Sequence, residues 1–363
     1  MSKKVALGLS GGVDSAVAGY LLKKQGYKVD AVHIICWQQP GCRAEQDRKD
    51  AVKTALHLGF KIKVLDFVET YRNKVLSYFY NEYKRGRTPN PDILCNQEIK
   101  FGLFYDWAIK QGYDYIATGH YSKITKDKSD KLQLFSPLDQ QKDQTYFLYR
   151  IKSQQLSHIL FPLGDYLKIQ VRDLAKKIKI PVADKPDSMG ICFLGDINVR
   201  QLLIKKYGKK EGNVLLDDQT VIGKHQGAWL FTIGQRGGWQ KISKIFQKNI
   251  DNTQMPKLYV RKIDILKNNI YVGERDSVMQ NVFTVSDLHW LDQGWQLVKN
   301  IGVKIRNTGK IFVTKEISDF ENGLKIITKD QIFAVSPGQH AVFYDLDTEF
   351  PRVLGGGVIE NTE

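Results

Sequence analysis

Cysteine is scarce: four occur in 363 residues, and no two form a C-x-x-C pair. That argues against a secreted disulfide scaffold and against a zinc knuckle. Long apolar runs are missing as well. No stretch reaches the length that spans a bilayer, and the N-terminal MSKKVALGLSGG breaks into glycines too early for a signal-peptide core. The expectation is a soluble, cytoplasmic chain with no membrane partner and with thiols kept reduced. Acidic charge is in deficit, with 39 Asp and Glu against 54 Lys and Arg, a net charge of +15. Such a surplus suits a polyanionic partner, although a solvated basic surface gives the same count. Two phosphate signatures are absent. There is no GxxxxGK[ST] loop with its lysine, and no GxGxxG, which disfavours a nicotinamide or flavin site.

What is present begins with alternation. Residues 3–9 (KKVALGL) read as a buried strand, followed by the turn SGGVDS. Val13, Val17, Tyr20 and Leu21 then recur at helical spacing up to Gly26. Further strands are expected at 29–35, 61–66 and 114–119, with helices over 44–58, about 70–85 and 96–111. Strand–helix alternation predicts an α/β fold, an open parallel sheet wrapped by helices. Beyond about residue 200 turns become frequent and β-branched residues dominate. A basic helix at 200–210 (RQLLIKKYGKK) precedes runs such as KLYVRKIDI, with hairpin turns expected at Asn268-Asn269 and Asn322-Gly323. The organisation expected is a catalytic domain over 1–200, a small middle domain over 201–274, and a β-barrel-like domain over 275–363. The polar stretch 240–257 reads as a flexible insert.

Ser10-Gly11-Gly12-Val13-Asp14-Ser15 joins the first strand to the first helix. Glycines there let backbone approach a phosphate closely, and the helix N-terminus faces the anion. A glycine turn with a Ser/Asp cap is the plain alternative. The hexapeptide resembles the pyrophosphate loop of the N-type ATP pyrophosphatases, which adenylate a substrate and release pyrophosphate.

The string Gly86-Arg87-Thr88-Pro89-Asn90-Pro91-Asp92-Ile93-Leu94-Cys95-Asn96 carries two prolines that bias Thr88 and Asn90 toward extended backbone. It reads as a stiff loop presenting Asn90, Asp92 and Cys95, with a helix starting right after Cys95. A thiol at a helix N-terminus gains thiolate character. A buried structural cysteine is the competing account. Cys192 stands 97 residues later in KPDSMGICF and, taken alone, reads as core. Cys36 beside Trp37 reads as packing, and Cys42 has no assigned step.

GRTPNPDILCNQEIKF and DSMGICFLG together closely resemble the tRNA-specific 2-thiouridylases, which replace the 2-oxygen of the wobble uridine with sulfur. IATGHY at 116–121, KDQTYFLY at 142–149, GKHQGAWLFTIGQR at 223–236, SDLHW at 286–290, PGQHAVFYD at 337–345 and LGGG at 354–357 agree, in order, over nearly the whole chain. The resemblance implies roles for the matching positions. Gly8, Leu9, Ser10, Gly11, Gly12, Val13, Asp14 and Ser15 would cradle ATP, with Ile34 and Gly119 lining the nucleotide site. Asn90, Pro91 and Asp92 would meet the base, Cys95 would be the nucleophile, and Cys192 would carry a persulfide. Lys142, Asp143 and Gln144 would contact tRNA. ATP and Mg²⁺ are implied, with tRNA and a sulfur donor, a cysteine desulfurase or sulfur-carrier protein, as partners. No protein-held metal site is expected. The Arg-rich string usual in the family's last domain is replaced by Arg306-Asn307-Thr308-Gly309. Another pyrophosphate-loop enzyme, or a non-catalytic tRNA-binding protein, remains as an alternative.

Overall fold

The computed structural model describes residues 2–38, 43–127, 130–187, 198–242 and 257–362. Cys42, Cys192 with its neighbours in SMGICFLG, and most of the 240–257 stretch lie outside the described residues.

Val5, Ala6 and Leu7 are fully buried, so the Lys4–Gly8 strand has no solvent face and runs through the middle of a sheet. That sheet is wholly parallel, with strand order Ile62–Asp66, Lys28–Ile35, Lys4–Gly8, Tyr115–Ala117, Ile159–Leu160. The expected strands are all found within a residue or two. Helices Val13–Lys24 and Ala44–Leu58 follow the first two strands, the second ending on Gly59 at φ 73°, as its glycine stop implied. The order reverses direction between Lys4–Gly8 and Tyr115–Ala117. Loops leaving the carboxyl ends of those two strands therefore splay into a crevice, the usual ligand position in such sheets.

One expectation needs correction. The helix containing Cys95 begins at Pro91, not after Cys95. Asn90 caps it by accepting from Ile93 N at 3.4 Å, and Pro91 takes the first helical position, where its missing N–H costs nothing. Cys95 thus sits past the first turn, where the helix dipole has little effect on a thiol. From Cys95 to Phe104 the helix is π-type, a widened form common at functional sites.

A second sheet joins Gly212–Leu215, Val221–His225, Gln240–Lys241, Tyr259–Asp264 and Asn269–Gly273. A third closes into a six-stranded antiparallel barrel. Its strands are Met279–Trp290, Ile301–Lys304, Phe312–Phe320, Gly323–Phe333, His340–Asp345 and Arg352–Thr362, with the first pairing the last. The turn near Asn322 is shifted by one residue. Phe320 pairs Gly323, so Glu321 and Asn322 form the loop, with Glu321 at φ 47°. One connection was not expected from sequence. The hairpin Lys123–Lys126/Leu132–Phe135, from the first half of the chain, extends the barrel's sheet through Arg352 and Phe135. Among the described residues no helix is long and apolar enough to cross a membrane.

Candidate active site

The SGGVDS turn is tightly packed and its conformation is set by its glycines and serines. Gly11 has φ +85°, and a Cβ there would lie 2.3 Å from the Asp47 carbonyl oxygen, so only glycine fits. Ser15 Oγ reaches Gly12 O at 3.1 Å and Ser10 Oγ at 3.1 Å, and accepts from Ser10 N at 3.2 Å. Gly12 caps the Val13–Lys24 helix without any side-chain bond to the first-turn N–H groups. Those donors are the natural partners of an anion. Beneath the turn, buried His33 bonds through Nδ1 to Leu9 O at 2.9 Å, and burial pulls its pKa below the ordinary value. Sequence reading passed over His33, whose setting in an apolar strand gave no signal. Ile34 beside it is buried in the core that also holds Cys36 and Cys95.

The loop after Tyr115–Ala117 closes onto this turn. A Cβ on Gly119 would stand 2.6 Å from Ser15 N and 2.7 Å from the Asp14 carbonyl carbon, so the two loops touch backbone to backbone. His120 is buried, with Nδ1 2.7 Å from Thr118 Oγ1 and Nε2 3.3 Å from Lys100 Nζ. An ammonium has no lone pair, so Nε2 accepts and Nδ1 carries the hydrogen. Burial, then the Lys100 charge, pushes His120 well below its usual pKa. Lys100 belongs to the helix of Cys95, which ties the thiol's helix to the phosphate turn through His120 and Gly119.

Two cations, Lys168 and Lys185, touch the turn, and two more, Lys142 and Arg172, join Lys168 at Asp187. Lys168 Nζ donates to both oxygens of Asp14, at 2.7 and 2.8 Å, and lies 2.8 Å from Asp187 Oδ1. Arg172, one helical turn on, also bonds Asp187, and Lys142 reaches Asp187 Oδ2 at 3.0 Å. Lys185 binds Gly11 O at 2.9 Å, Asp47 at 2.7 Å and Asp50 at 2.6 Å. Burial opposes ionisation of Asp187, yet Lys168, Lys142 and Arg172 together hold it far below the usual carboxylate range. Lys168, Arg172 and Lys185 were missed. The i,i+4 spacing of Lys168 and Arg172 was visible, but any exposed helix carries such pairs.

Residues 142–144, expected to share one role, diverge. Only Lys142 joins the Asp187 cluster, through its ion pair at 3.0 Å. Asp143 is buried, accepting from Thr145 N at 2.9 Å and from Thr145 Oγ1 at 2.6 Å, with Lys304 of the barrel at 3.5 Å. Gln144 Oε1 accepts from Tyr121 N at 2.9 Å, fixing the loop behind Gly119.

The Arg87–Asn90 segment is clamped from the barrel. Thr88 N donates to Pro337 O at 2.8 Å, and Gln339 Nε2 donates to Thr88 O at 2.9 Å. Thr88 Oγ1 meets Thr232 Oγ1 of the middle region at 3.0 Å, and Arg87 joins Glu82 to Glu360. Tyr146 Oη lies 3.0 Å from His340 O, and Tyr149 Oη lies 2.7 Å from His340 Nδ1. The strings PGQH and KDQTYFLY therefore meet each other behind the loop that presents Asn90 and Asp92. Asp92 is half-buried in the first helical turn, and Cys95 is fully buried. Lys205, Lys206, Lys209 and Lys210 are solvent-exposed, as is Arg236, while Arg306 braces the Ala334 carbonyl.

The described residues do not make a resident Mg²⁺ site. Asp14 gives both oxygens to Lys168, and no group of three His, Cys, Asp or Glu side chains is placed to hold an ion.

Three family profiles match in succession: tRNA methyl transferase HUP domain over residues 3–196, tRNA methyl transferase PRC-barrel domain over 200–274, and aminomethyltransferase beta-barrel domain over 280–359. Curated relatives match end to end. A tRNA-specific 2-thiouridylase MnmA of Limosilactobacillus fermentum is 39% identical, over 98% of this chain and 95% of its own. The Levilactobacillus brevis protein of the same name is 38% identical over the same shares. That of a Shewanella strain is 39% identical over 99% of this chain and 96% of its own. With its parallel sheet, middle sheet and closed barrel in the same order as those profiles, the chain belongs to the tRNA-specific 2-thiouridylase family.

Proposed function

We propose that this protein is an ATP-dependent tRNA sulfurtransferase that thiolates carbon 2 of the wobble uridine. The observation carrying the reading is the junction of two motifs. The helix of Cys95 reaches, through Lys100 and His120, the Gly119 backbone that packs on the first turn of the SGGVDS helix. A nucleotide-activating turn and a thiol-bearing helix share one crevice. The profile description speaks of methyl transfer, whereas the curated relatives are named for thiolation. An ATP-type phosphate turn serves adenylation and has no use in methyl transfer, which favours the relatives.

In the first step the uridine 2-oxygen attacks the α-phosphorus of ATP. The phosphorus–oxygen bond to pyrophosphate breaks and pyrophosphate leaves with the electron pair. The Ser10–Ser15 turn stabilises that charge through backbone N–H groups and hydroxyls. Asn90, Pro91 and Asp92 hold the base, presented from a single-stranded anticodon loop where unstacking is cheap. Sulfur then replaces the adenylated oxygen at carbon 2 and AMP departs. A Cys192 persulfide supplies that sulfur. Cys95 takes up the other sulfur of the broken S–S bond, leaving a Cys95–Cys192 disulfide for an external thiol to reduce. A sulfur-donor protein reloads Cys192. Asp143 and Gln144 serve by fixing the 142–145 segment, which leaves Lys142 to face phosphate. The three segments 1–200, 201–274 and 275–363 act as catalytic, central and barrel domains.

The test is tRNA-dependent ATP–pyrophosphate exchange, followed by nucleoside mass spectrometry of the tRNA. Exchange and 2-thiouridine are expected with wild type. Cys95→Ser is expected to keep exchange and lose 2-thiouridine. Wild-type protein that performs neither with intact tRNA, ATP, Mg²⁺ and a sulfide source overturns the reading.

A further inference from the structure

We propose that Lys142, Lys168 and Arg172 form the receptor for the departing pyrophosphate, and that Asp187 holds the place of a phosphate there until nucleotide arrives. The inference rests on the adenylation reading above and adds a site to it.

Charge separates this cluster from its neighbour. Lys185 is one ammonium facing two carboxylates, Asp47 and Asp50, and it also binds Gly11 O. It is fully committed to bracing the turn. The other three cations converge on one carboxylate, Asp187, while Lys168 also holds Asp14 and its backbone N–H donates to Asp139 at 2.8 Å. Three cations meeting at a single carboxylate thus lie one contact away from Asp14, in the first turn of the Val13–Lys24 helix.

The geometry is prearranged for a multi-oxygen anion. Lys168 and Arg172 project from one helix face, while Lys142 approaches from a separate segment, so the three converge from different directions. Arg172 Nη1 is fixed by the carbonyls of Lys185 at 2.6 Å and Ala183 at 3.2 Å, which orients the guanidinium fork toward Asp187. A guanidinium aimed in this way suits carboxylate and phosphate oxygens alike. Lys168 bridges Asp187 to Asp14, a residue of the phosphate turn itself. An anion seated in the turn therefore lies next to these cations.

Exchange follows from this arrangement. Pyrophosphate offers more oxygens and more charge than one carboxylate, so it displaces Asp187 from the cations. When pyrophosphate must leave, Asp187 competes for the same donors and speeds release. Lys142 then contacts nucleotide phosphate, and a tRNA phosphate is the rival source of the same chemistry.

The experiment titrates inorganic pyrophosphate into the full-length chain without tRNA, and separately measures tRNA binding at fixed salt. Asp187→Asn, nearly isosteric but neutral, is expected to bind pyrophosphate about fivefold tighter. Lys168→Met and Arg172→Met are expected to bind it at least tenfold weaker, and Lys142→Met severalfold weaker, with tRNA affinity unchanged. Lys168→Arg, which keeps the charge, separates lost binding from lost folding, since it is expected to bind nearly as wild type. Unchanged pyrophosphate affinity in Asp187→Asn and Lys168→Met overturns the proposal. So does a Lys142→Met variant that loses tRNA and keeps pyrophosphate. Failure of wild type to make 2-thiouridine while these shifts persist would sink the functional reading and leave the receptor standing.

Discussion

Gly119→Ala isolates the contact between the two crevice loops. Gly119 does not occupy the left-handed region, so alanine suits its backbone. The added methyl would nevertheless lie 2.6 Å from Ser15 N, 2.7 Å from the Asp14 carbonyl carbon and 2.9 Å from Ser15 Cα. All three are backbone atoms and cannot rotate away. Nonbonded heavy atoms rest at about 3.5–4.0 Å, so the loops must separate by roughly 1 Å. Misplacing reacting groups by that distance costs on the order of 100-fold in rate, or about 2.7 kcal/mol of barrier. The assay is tRNA-dependent ATP–pyrophosphate exchange, with thermal unfolding alongside. Gly26→Ala is the control. Gly26 has φ +87° and nothing within 4 Å of its would-be Cβ, so alanine strains only the backbone, by about 1–2 kcal/mol. The expected pattern is exchange lost with modest destabilisation in Gly119→Ala, and stability lost with exchange intact in Gly26→Ala. Near wild-type exchange in Gly119→Ala would refute the claim that this contact shapes the nucleotide site.

Other outcomes follow from contacts farther out. Gln339→Ala removes the donor to Thr88 O and frees the loop of Asn90; 2-thiouridine formation should slow about tenfold while the KM for ATP holds, and an equal rise in that KM counts against the clamp. Lys304→Met leaves Asp143 buried and uncompensated, destabilising the fold by about 3 kcal/mol in denaturant titration, with Asp143→Asn in the same chain restoring part of the loss. Acid should weaken the fold before any carboxylate protonates. Burial lowers His225 to about 4 and His120 and His340 well below their usual value, so the unfolded chain binds more protons below its ordinary pKa near 6.5. Their stabilising contribution is complete above 6.5 and falls as pH drops from 6.5 toward 4. A midpoint of unfolding that is flat across this window would show that these imidazoles are not buried neutral.

The parallel sheet was legible because its strands, apart from the exposed edge strand Ile62–Asp66, are short apolar runs, and glycines such as Gly26 and Gly59 mark the helix ends. The turn itself was legible because paired glycines between a strand and a helix mark a tight connection, as Gly11 at φ +85° against Asp47 O bears out. Other features were hidden for physical reasons. Asn90-Pro91 carried the ordinary signs of a helix start, a capping Asn followed by proline at the first position. The stiffening effect of two prolines masked that sign and suggested a loop through Cys95. Lys168 and Arg172 were invisible as site residues because their importance comes from Asp14 and Asp187, which are distant in sequence. Asp143 was expected by resemblance to contact tRNA, yet it is buried, with Lys304, 161 positions later, at 3.5 Å. LGGG read as a family string without a reason. The structure supplies one, since a Cβ on Gly356 would lie 2.5 Å from Ala341 O, where adjacent barrel strands press together.

The hairpin at 123–135 has a consequence for biosynthesis. Its strand partner at Arg352 leaves the ribosome only after more than two hundred further residues have been added, roughly ten to forty seconds at elongation rates of about 5–20 residues per second. Throughout that interval the nascent chain carries an unpaired strand edge, along with Tyr146 and Tyr149, whose burial awaits the barrel. Docking of this hairpin thus waits for the end of synthesis, while the parallel sheet, whose strands all lie between residues 4 and 160, does not. Truncated or stalled products keep a sticky edge exposed, which makes them natural clients for holding chaperones.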